Sequence, residues 1–239
     1  MEDVKCAKEF LQESSWQKGK GKKQTGRPLL ELPAAEGEAV IILPEPDMLE
    51  DHTVNFLEMI ELRATIRQYS KESLSLKELS YLLWCTQGVK MANENFTLRT
   101  VPSAGASHSL ETYILVNNVE GLEAGVYRFL AVEHSLVKVD ADRDAVSNCF
   151  STFKVVLNSA VTFIWSTVIE RVACRYGSRG YRYAFLDAGH VCQNIYLAAQ
   201  TIKAGVCALG AFDDEQINEE LALPKDEQFV VYGAAVGKI

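Results

Sequence analysis

Arginine, threonine and arginine alternate in Arg63-Ala64-Thr65-Ile66-Arg67. In an extended segment, residues two and four apart share a face. Two planar guanidiniums and a hydroxyl would then point the same way, a donor set suited to a phosphate. An ordinary solvated face has the same spacing and is the alternative. A second candidate is the loop Pro102-Ser103-Ala104-Gly105-Ala106-Ser107. Its backbone N–H groups and hydroxyls can come close to a flat polar ring because little side chain intervenes. Leu209-Gly210-Ala211 has the same character, and a plain tight turn is the alternative for both. Acid–base candidates are sparse. His52, His108, His134 and His190 are scattered, with no H-E-x-x-H and no G-x-S-x-G. No metal site and no hydrolytic triad is expected. Weak side-chain chemistry beside a good phosphate candidate fits a protein whose cofactor carries the reaction.

These residues need a frame. The stretch from Tyr181 to Ala204 is free of proline and predicts one long helix, with Gly205 as its stop. Tyr183, Leu186, Val191, Ile195, Ala198 and Ile202 form one apolar stripe, and Ala184, Ala188, Leu197 and Thr201 a second. A helix apolar on more than one side is buried, against its own domain or a partner. It nevertheless carries Asp187, His190, Gln193 and Asn194, which must find hydrogen bonds if buried. Helices are also expected over 53–63, from the capping box at Ser75 and Glu78 to Gly88, over 142–150, and from Asp213 to before Pro224. Strands are expected at Val40–Leu43, Glu111–Val116, Gly125–Phe129, Ser135–Val139, around Phe163, at Val206–Gly210 (strand or turn) and at Glu227–Gly233. Loops are expected from about Met91 and over Arg171–Arg179. Helices and strands without regular alternation argue for an α+β domain.

The 239 residues can bury a sizeable core, and 48% hydrophobic with 23% charged residues is ordinary for a globular chain. A net charge of −8 gives no global electrostatic case for nucleic acid or an anionic membrane surface. The richest apolar run, Ala160–Ile169, is too short to span a bilayer. No secretory signal is read at the start, so a cytoplasmic location is expected. Six scattered cysteines form no C-x-x-C pair and fit buried free thiols in a reducing compartment. Residues 1–57 differ from the rest and read as an N-terminal arm before a domain at 58–239. Within the arm, Lys18–Pro28 is basic and glycine-rich. Gly21 and Gly26 have P-loop spacing, but Arg27-Pro28 follows where lysine and a hydroxyl are needed. A solvated basic segment is the reading.

Four segments in order resemble the nitroreductase-like FMN flavoprotein superfamily, and within it the SagB-type dehydrogenases. They are Arg63–Arg67, Arg99–Ala106 with Glu111-Thr-Tyr after it, Tyr183–Ala199, and Ala208–Phe212. The resemblance covers about 58–239. It implies an α+β nitroreductase-like fold, with a central mixed or antiparallel sheet surrounded by helices, and an intertwined homodimer with FMN at its interface. Arg63, Thr65 and Arg67 would hold phosphate and ribityl. Pro102, Ser103, Ala104, Gly105 and Ser107 would contact the isoalloxazine, from the same chain or its partner. Leu209 and Gly210 would flank the ring, Lys238 would add a basic group to the phosphate, and the arm would wrap the partner. Thr65 replaces the usual serine and keeps the hydroxyl, and Ala64 stands where a further arginine is frequent. SagB-type azoline oxidases carry a Lys-Tyr pair, and the matching place here reads Arg175-Tyr176. Arginine is a poor general base, which leaves Tyr176 as the catalytic candidate, with a structural tyrosine as the alternative. The implied activity is an FMN-dependent oxidoreductase taking hydride from NADH or NADPH and reducing a small-molecule acceptor in a ping-pong cycle. The alternatives are a dehydrogenase of a peptide-derived heterocycle, or a flavin-binding protein without turnover, for storage or as a partner subunit in a modifying complex.

Overall fold

Seven strands build the main sheet: β1 (Val40–Ile42), β4 (Leu110–Val116), β5 (Gly125–Leu130), β6 (Ser135–Val139), β7 (Val161–Val168), β8 (Ala204–Leu209) and β9 (Gln228–Lys238). Their order is β1-β6-β5-β4-β7-β9-β8, and every pairing is antiparallel. The computed structural model describes residues 3–16, 18, 29–46 and 55–239. The basic stretch beyond Lys18, up to Pro28, and His52 lie outside the described residues.

Helices cover both faces of the sheet, which explains why its central strands read as nearly continuous apolar runs. Every residue of β4 and all but the last of β7 are buried. Alternation sends Ile114 and Val116 to one core and Tyr113 and Leu115 to the other. The first core is closed by α3 (Leu76–Gln87) and α7 (Arg179–Thr201), through Leu79, Leu82, Leu83, Val191 and Ile195. The second is closed by α4 (Arg143–Asn148), α5 (Phe153–Asn158) and α8 (Asp214–Glu220), through Val146, Val156 and Ile217. The α+β class and the large antiparallel sheet are as expected. No helix among the described residues is long and apolar enough to cross a membrane.

The capping box forms as read. Ser75 Oγ accepts from the Glu78 N–H at 3.2 Å, and Glu78 Oε2 accepts from the Ser75 N–H at 2.9 Å. Ser75→Ala is expected to cost about 1 kcal/mol, read as a lower urea midpoint at unchanged slope. An unchanged midpoint would mean that Glu78 caps the turn alone.

Several local expectations need correction. The segment expected as a loop from Arg171 is α6 (Glu170–Tyr176), a helix that starts without a side-chain cap and stops at Gly177, φ 56°. The loop expected from Met91 is a hairpin of β2 (Val89–Ala92) and β3 (Thr97–Arg99). α7 ends at Thr201, not at Gly205, and Lys203 takes the left-handed turn at φ 54°. Gly205 lies inside β8 for another reason. A Cβ there would come within 2.6 Å of the Ile66 side chain. The final strand runs on to Lys238, past the expected Gly233.

The described parts of residues 1–57 lie against the chain's own domain. After α1 (Asp3–Glu13), Ser14 takes hydrogen bonds from Arg179 and Arg182 at the start of α7. Residues 29–43 then form a strap ending in β1. Arg128 donates to the Leu32 and Pro33 carbonyls at 2.6 and 2.8 Å, and Arg99 to the Leu30 carbonyl at 3.4 Å. The Glu31 carboxylate accepts from the Ala131 and Val132 N–H groups. A further short helix, α2 (Phe56–Leu62), is N-capped by Asn55.

Candidate functional site

Two stations along α7 gather the candidate residues. At Tyr196, near its C-terminal end, the Tyr196 hydroxyl lies 3.1 Å from Thr65 Oγ1 and accepts from the Ala208 N–H at 3.0 Å. Thr65 sits in an extended segment bridged to Val206, with the Ile66 N–H donating to the Val206 carbonyl at 2.8 Å. The Arg63 guanidinium lies over the Tyr196 ring, 5.4 Å from its centroid. Arg67 reaches the Cys207 thiol. Alternation turns Ala64 and Ile66 toward a mostly apolar cavity of about 680 Å³, also lined by Met59, Leu62 and Val206. Neither Arg63 nor Arg67 has a carboxylate partner among the described residues, so both keep donors to offer an anion. That fits a phosphate-bearing cofactor. Among the described residues, no group of three His, Cys, Asp or Glu is placed to hold a metal.

Lys238 is placed differently. Its ammonium is buried, 2.5 Å from Glu78 Oε1 and 2.8 Å from the Ile202 carbonyl. It ties the start of α3 to the end of α7, which leaves one of its three N–H donors for a further acceptor. Leu209 is buried at the end of β8, and Gly210 beside it is exposed. A Cβ on Gly210 would meet only the Tyr232 ring, at 3.6 Å.

The second station is Asp187, about 13 Å along the axis from Tyr196 at the rise of an α-helix. Here lies the loop Pro102–Ser107, entered from β3 and leaving into β4. Asp187 Oδ2 accepts from Ser103 Oγ at 2.7 Å, and its carboxylate also accepts from the Ala104 N–H at 3.2 Å. Ser103 Oγ in turn accepts from the His108 N–H at 2.9 Å. Burial raises the Asp187 pKa, while Ser103, Ala104 and nearby His190 pull it down. Gly105, Ala106 and His108 all have positive φ, 60°, 51° and 43°. For the two non-glycine residues this costs on the order of 1–2 kcal/mol each. From α6, Arg175 Nη1 donates to the Gly105 carbonyl at 2.8 Å. A Cβ on Gly105 would come within 2.3 Å of the Tyr176 hydroxyl. The Tyr176 ring packs edge-on to Tyr183 at 4.9 Å. The structure therefore brings Tyr176 to the small-residue loop, and Arg63, Thr65 and Arg67 to Tyr196 and β8.

Below the loop is a buried charge cluster. Glu111 Oε1 lies 2.6 Å from Arg171 Nη2 and accepts from the Leu32 N–H at 3.2 Å, and Glu111 Oε2 lies 3.8 Å from Arg128 Nη1. His108 is 6% exposed. Burial, then the Arg99 charge, depress its imidazole to about 4 against a hydrogen bond to the Thr97 backbone.

Sequence reasoning left Asp187 as a buried polar residue in need of partners, and it did not find Tyr196 as the anchor of Thr65. Asn194 also finds a partner, the Cys85 carbonyl at 2.9 Å, whereas His190 and Gln193 are exposed and need none.

The nitroreductase family model matches residues 60–238. The chain belongs to the nitroreductase family. Among relatives of this family member, a protein described as a nitroreductase from Methanocaldococcus jannaschii is 33% identical over 74% of this chain and 88% of its own length. The trifolitoxin-processing protein of Rhizobium leguminosarum is 31% identical over 52% of this chain, a match that spans only 35% of that relative. Two solved structures share the nitroreductase fold. A chain of the Escherichia coli microcin synthetase complex superposes with TM-score 0.63 at 18% identity, over all of this chain and 93% of its own. A nitroreductase from Desulfovibrio desulfuricans, solved with FMN, superposes with TM-score 0.52 at 18% identity, over 77% of this chain and 87% of its own. The resemblance read from the four sequence blocks is thus borne out at the level of family and fold.

Proposed function

We propose that this nitroreductase-family chain is an FMN-dependent oxidoreductase that takes hydride from NADH or NADPH and reduces a small organic acceptor in a ping-pong cycle. The observation that carries the reading is the pair of guanidiniums without carboxylate partners among the described residues, Arg63 and Arg67, flanking Thr65, in a chain of net charge −8. Bound FMN would supply the hydride chemistry. Arg63, Thr65 and Arg67 would hold its phosphate and ribityl, with Tyr196 fixing the threonine. The loop Pro102–Ser107 would set its N–H groups and the Ser103 and Ser107 hydroxyls against the ring, with Leu209 and Gly210 beside it. Tyr176, held at the same loop, would donate or accept the proton that follows hydride transfer. Lys238 would add charge near the phosphate through its remaining N–H donor.

The functional unit in this reading is a homodimer with an arm at 1–57 and a catalytic domain at 58–239, working in the cytoplasm. Support comes from apolar side chains left in solvent. Phe185 and Leu186 on α7 are 52% and 56% exposed, and Phe56, Leu57 and Leu62 on α2 are 64–66% exposed. Exposed apolar side chains grouped on one helix are the kind of surface that a second chain would cover.

The first test is the visible spectrum of the purified protein before and after denaturation. Oxidised flavin bands and release of FMN at one per chain support the reading. A colourless protein that also refuses added FMN overturns it. Arg67→Ala is expected to weaken FMN binding by about 1.5–3 kcal/mol, the scale of a hydrogen bond to a charged group, and unchanged affinity counts against the phosphate assignment. Similarity to a trifolitoxin-processing protein and to a microcin synthetase chain favours a second reading, a SagB-type dehydrogenase of a peptide-derived heterocycle or a flavin-binding subunit of a modifying complex. Oxidation of NADH or NADPH with a quinone or nitro-compound supports the first reading, and its absence from flavin-loaded protein supports the second.

A further inference from the structure

We propose that Asp187 is a positioning residue, which together with Arg175 clamps the Pro102–Ser107 loop in its left-handed conformation at separate points along the loop. In assigning that loop to the flavin ring, the proposal rests on the function proposed above. Asp187 is only 5% exposed and comes from the middle of a helix whose other buried residues are almost all apolar or small. For packing alone, an apolar side chain would serve there without the cost of burying a carboxylate. Its oxygens instead go to the loop. One takes the Ser103 hydroxyl at 2.7 Å, and both lie within 3.3 Å of the Ala104 N–H. Ser103 then relays the hold to the far end of the loop by accepting the His108 N–H. A single carboxylate thereby fixes the chain just before the first of the three positive-φ residues and, through Ser103, at the last of them, His108. At the middle of the loop, Arg175 binds the Gly105 carbonyl at 2.8 Å, and the Tyr176 hydroxyl occupies the space that a Cβ on Gly105 would need. The Gly105 carbonyl is thus held toward Arg175. This gives the arginine at position 175 a task that does not involve proton removal.

Strained backbone persists only where its surroundings over-determine it. Asp187→Asn removes the charge and places an NH₂ group where the Ala104 N–H or the Ser103 hydroxyl needs an acceptor. Ser103→Ala breaks the relay without touching the buried charge, and Arg175→Gln removes most of the outer hold. The test has two arms on the same proteins. In ligand-free protein, amide hydrogen exchange at Ala104 and His108 is expected to quicken at least about tenfold in Asp187→Asn and in Ser103→Ala, relative to the strands of the sheet. With added FMN, the same variants are expected to bind about tenfold more weakly and to show a displaced visible band, whereas Arg67→Ala weakens binding without moving the band. Exchange unchanged in both loop variants overturns the clamp. A lower melting temperature with exchange and band both unchanged also overturns it, because that is the signature of helix packing alone. If Asp187→Asn does not fold, Ser103→Ala and Arg175→Gln decide by the same readouts. Faster exchange in a protein that takes up no FMN upholds the clamp and overturns the flavin assignment instead.

Discussion

Glu111→Ala is expected to remove about 3–5 kcal/mol of stability, the scale for breaking a buried ion pair by deleting one partner. Glu111 and Arg171 each have side chains only 3% exposed, and Arg128 has 10%. Without Glu111, the Arg171 guanidinium loses its 2.6 Å partner, and the Leu32 N–H of the strap loses its acceptor. Among the described residues, the cluster then sets Arg99, Arg128 and Arg171 against Glu31. A loss of that size is a large fraction of the total stability of an ordinary domain. Chemical denaturation of wild type, Glu111→Ala and Glu111→Gln measures it. The glutamine variant should lose less, because an amide oxygen still accepts from Leu32. A loss below about 1 kcal/mol in Glu111→Ala would show that the cluster relaxes into solvent.

The second large effect is on pH. His108 is held neutral in the folded state, with its pKa lowered from 6.5 to about 4. The unfolded chain therefore takes up a proton, as the pH falls below 6.5, that the folded chain does not. Stability from this group is complete above 6.5 and is lost progressively down to about 4, for a total of about 3 kcal/mol at 1.36 kcal/mol per unit. Glu31 and Asp187, both raised by burial, act with the opposite sign in the acidic part of that window. The informative quantity is therefore the difference between wild type and His108→Asn, since asparagine tolerates the left-handed φ at this position. Unfolding free energies at several values between pH 7 and 4.5 should fall more steeply for wild type. Parallel curves would remove His108 from the account.

What the sequence made legible follows from the range of each signal. The capping box at Ser75 and Glu78 and the apolar runs of β4 and β7 are local patterns, and the structure shows each in place; the spacing of Arg63, Thr65 and Arg67 is equally local, and its phosphate role stays a proposal. α6 was missed because its cap position, Ile169, offers no side-chain acceptor and its seven residues are too few for a clear period. The end of α7 was misplaced because a lysine took the left-handed turn, while the nearby glycine was needed for Ile66 to pack. The strap was illegible for a different reason. Arg99 and Arg128 bind its backbone carbonyls at Leu30, Leu32 and Pro33, and a carbonyl leaves no mark on residue type. In the candidate site, Asp187 announced a need for donors, but only the fold could show that Ser103 and Ala104 meet it.

The two outer strands carry one more consequence. Exposed strand edges are templates on which other chains can add. On one side the sheet ends in β1, only three residues long and held by the strap. On the other, β8 is met by the Thr65 bridge and the Ile66 N–H bond to Val206. Neither border presents a long open ladder, so this sheet resists growth into aggregates by strand addition. Stripping away the strap would uncover β6 along its whole length. The same loss that unseats the buried arginines would then convert a folded molecule into a seed for precipitation.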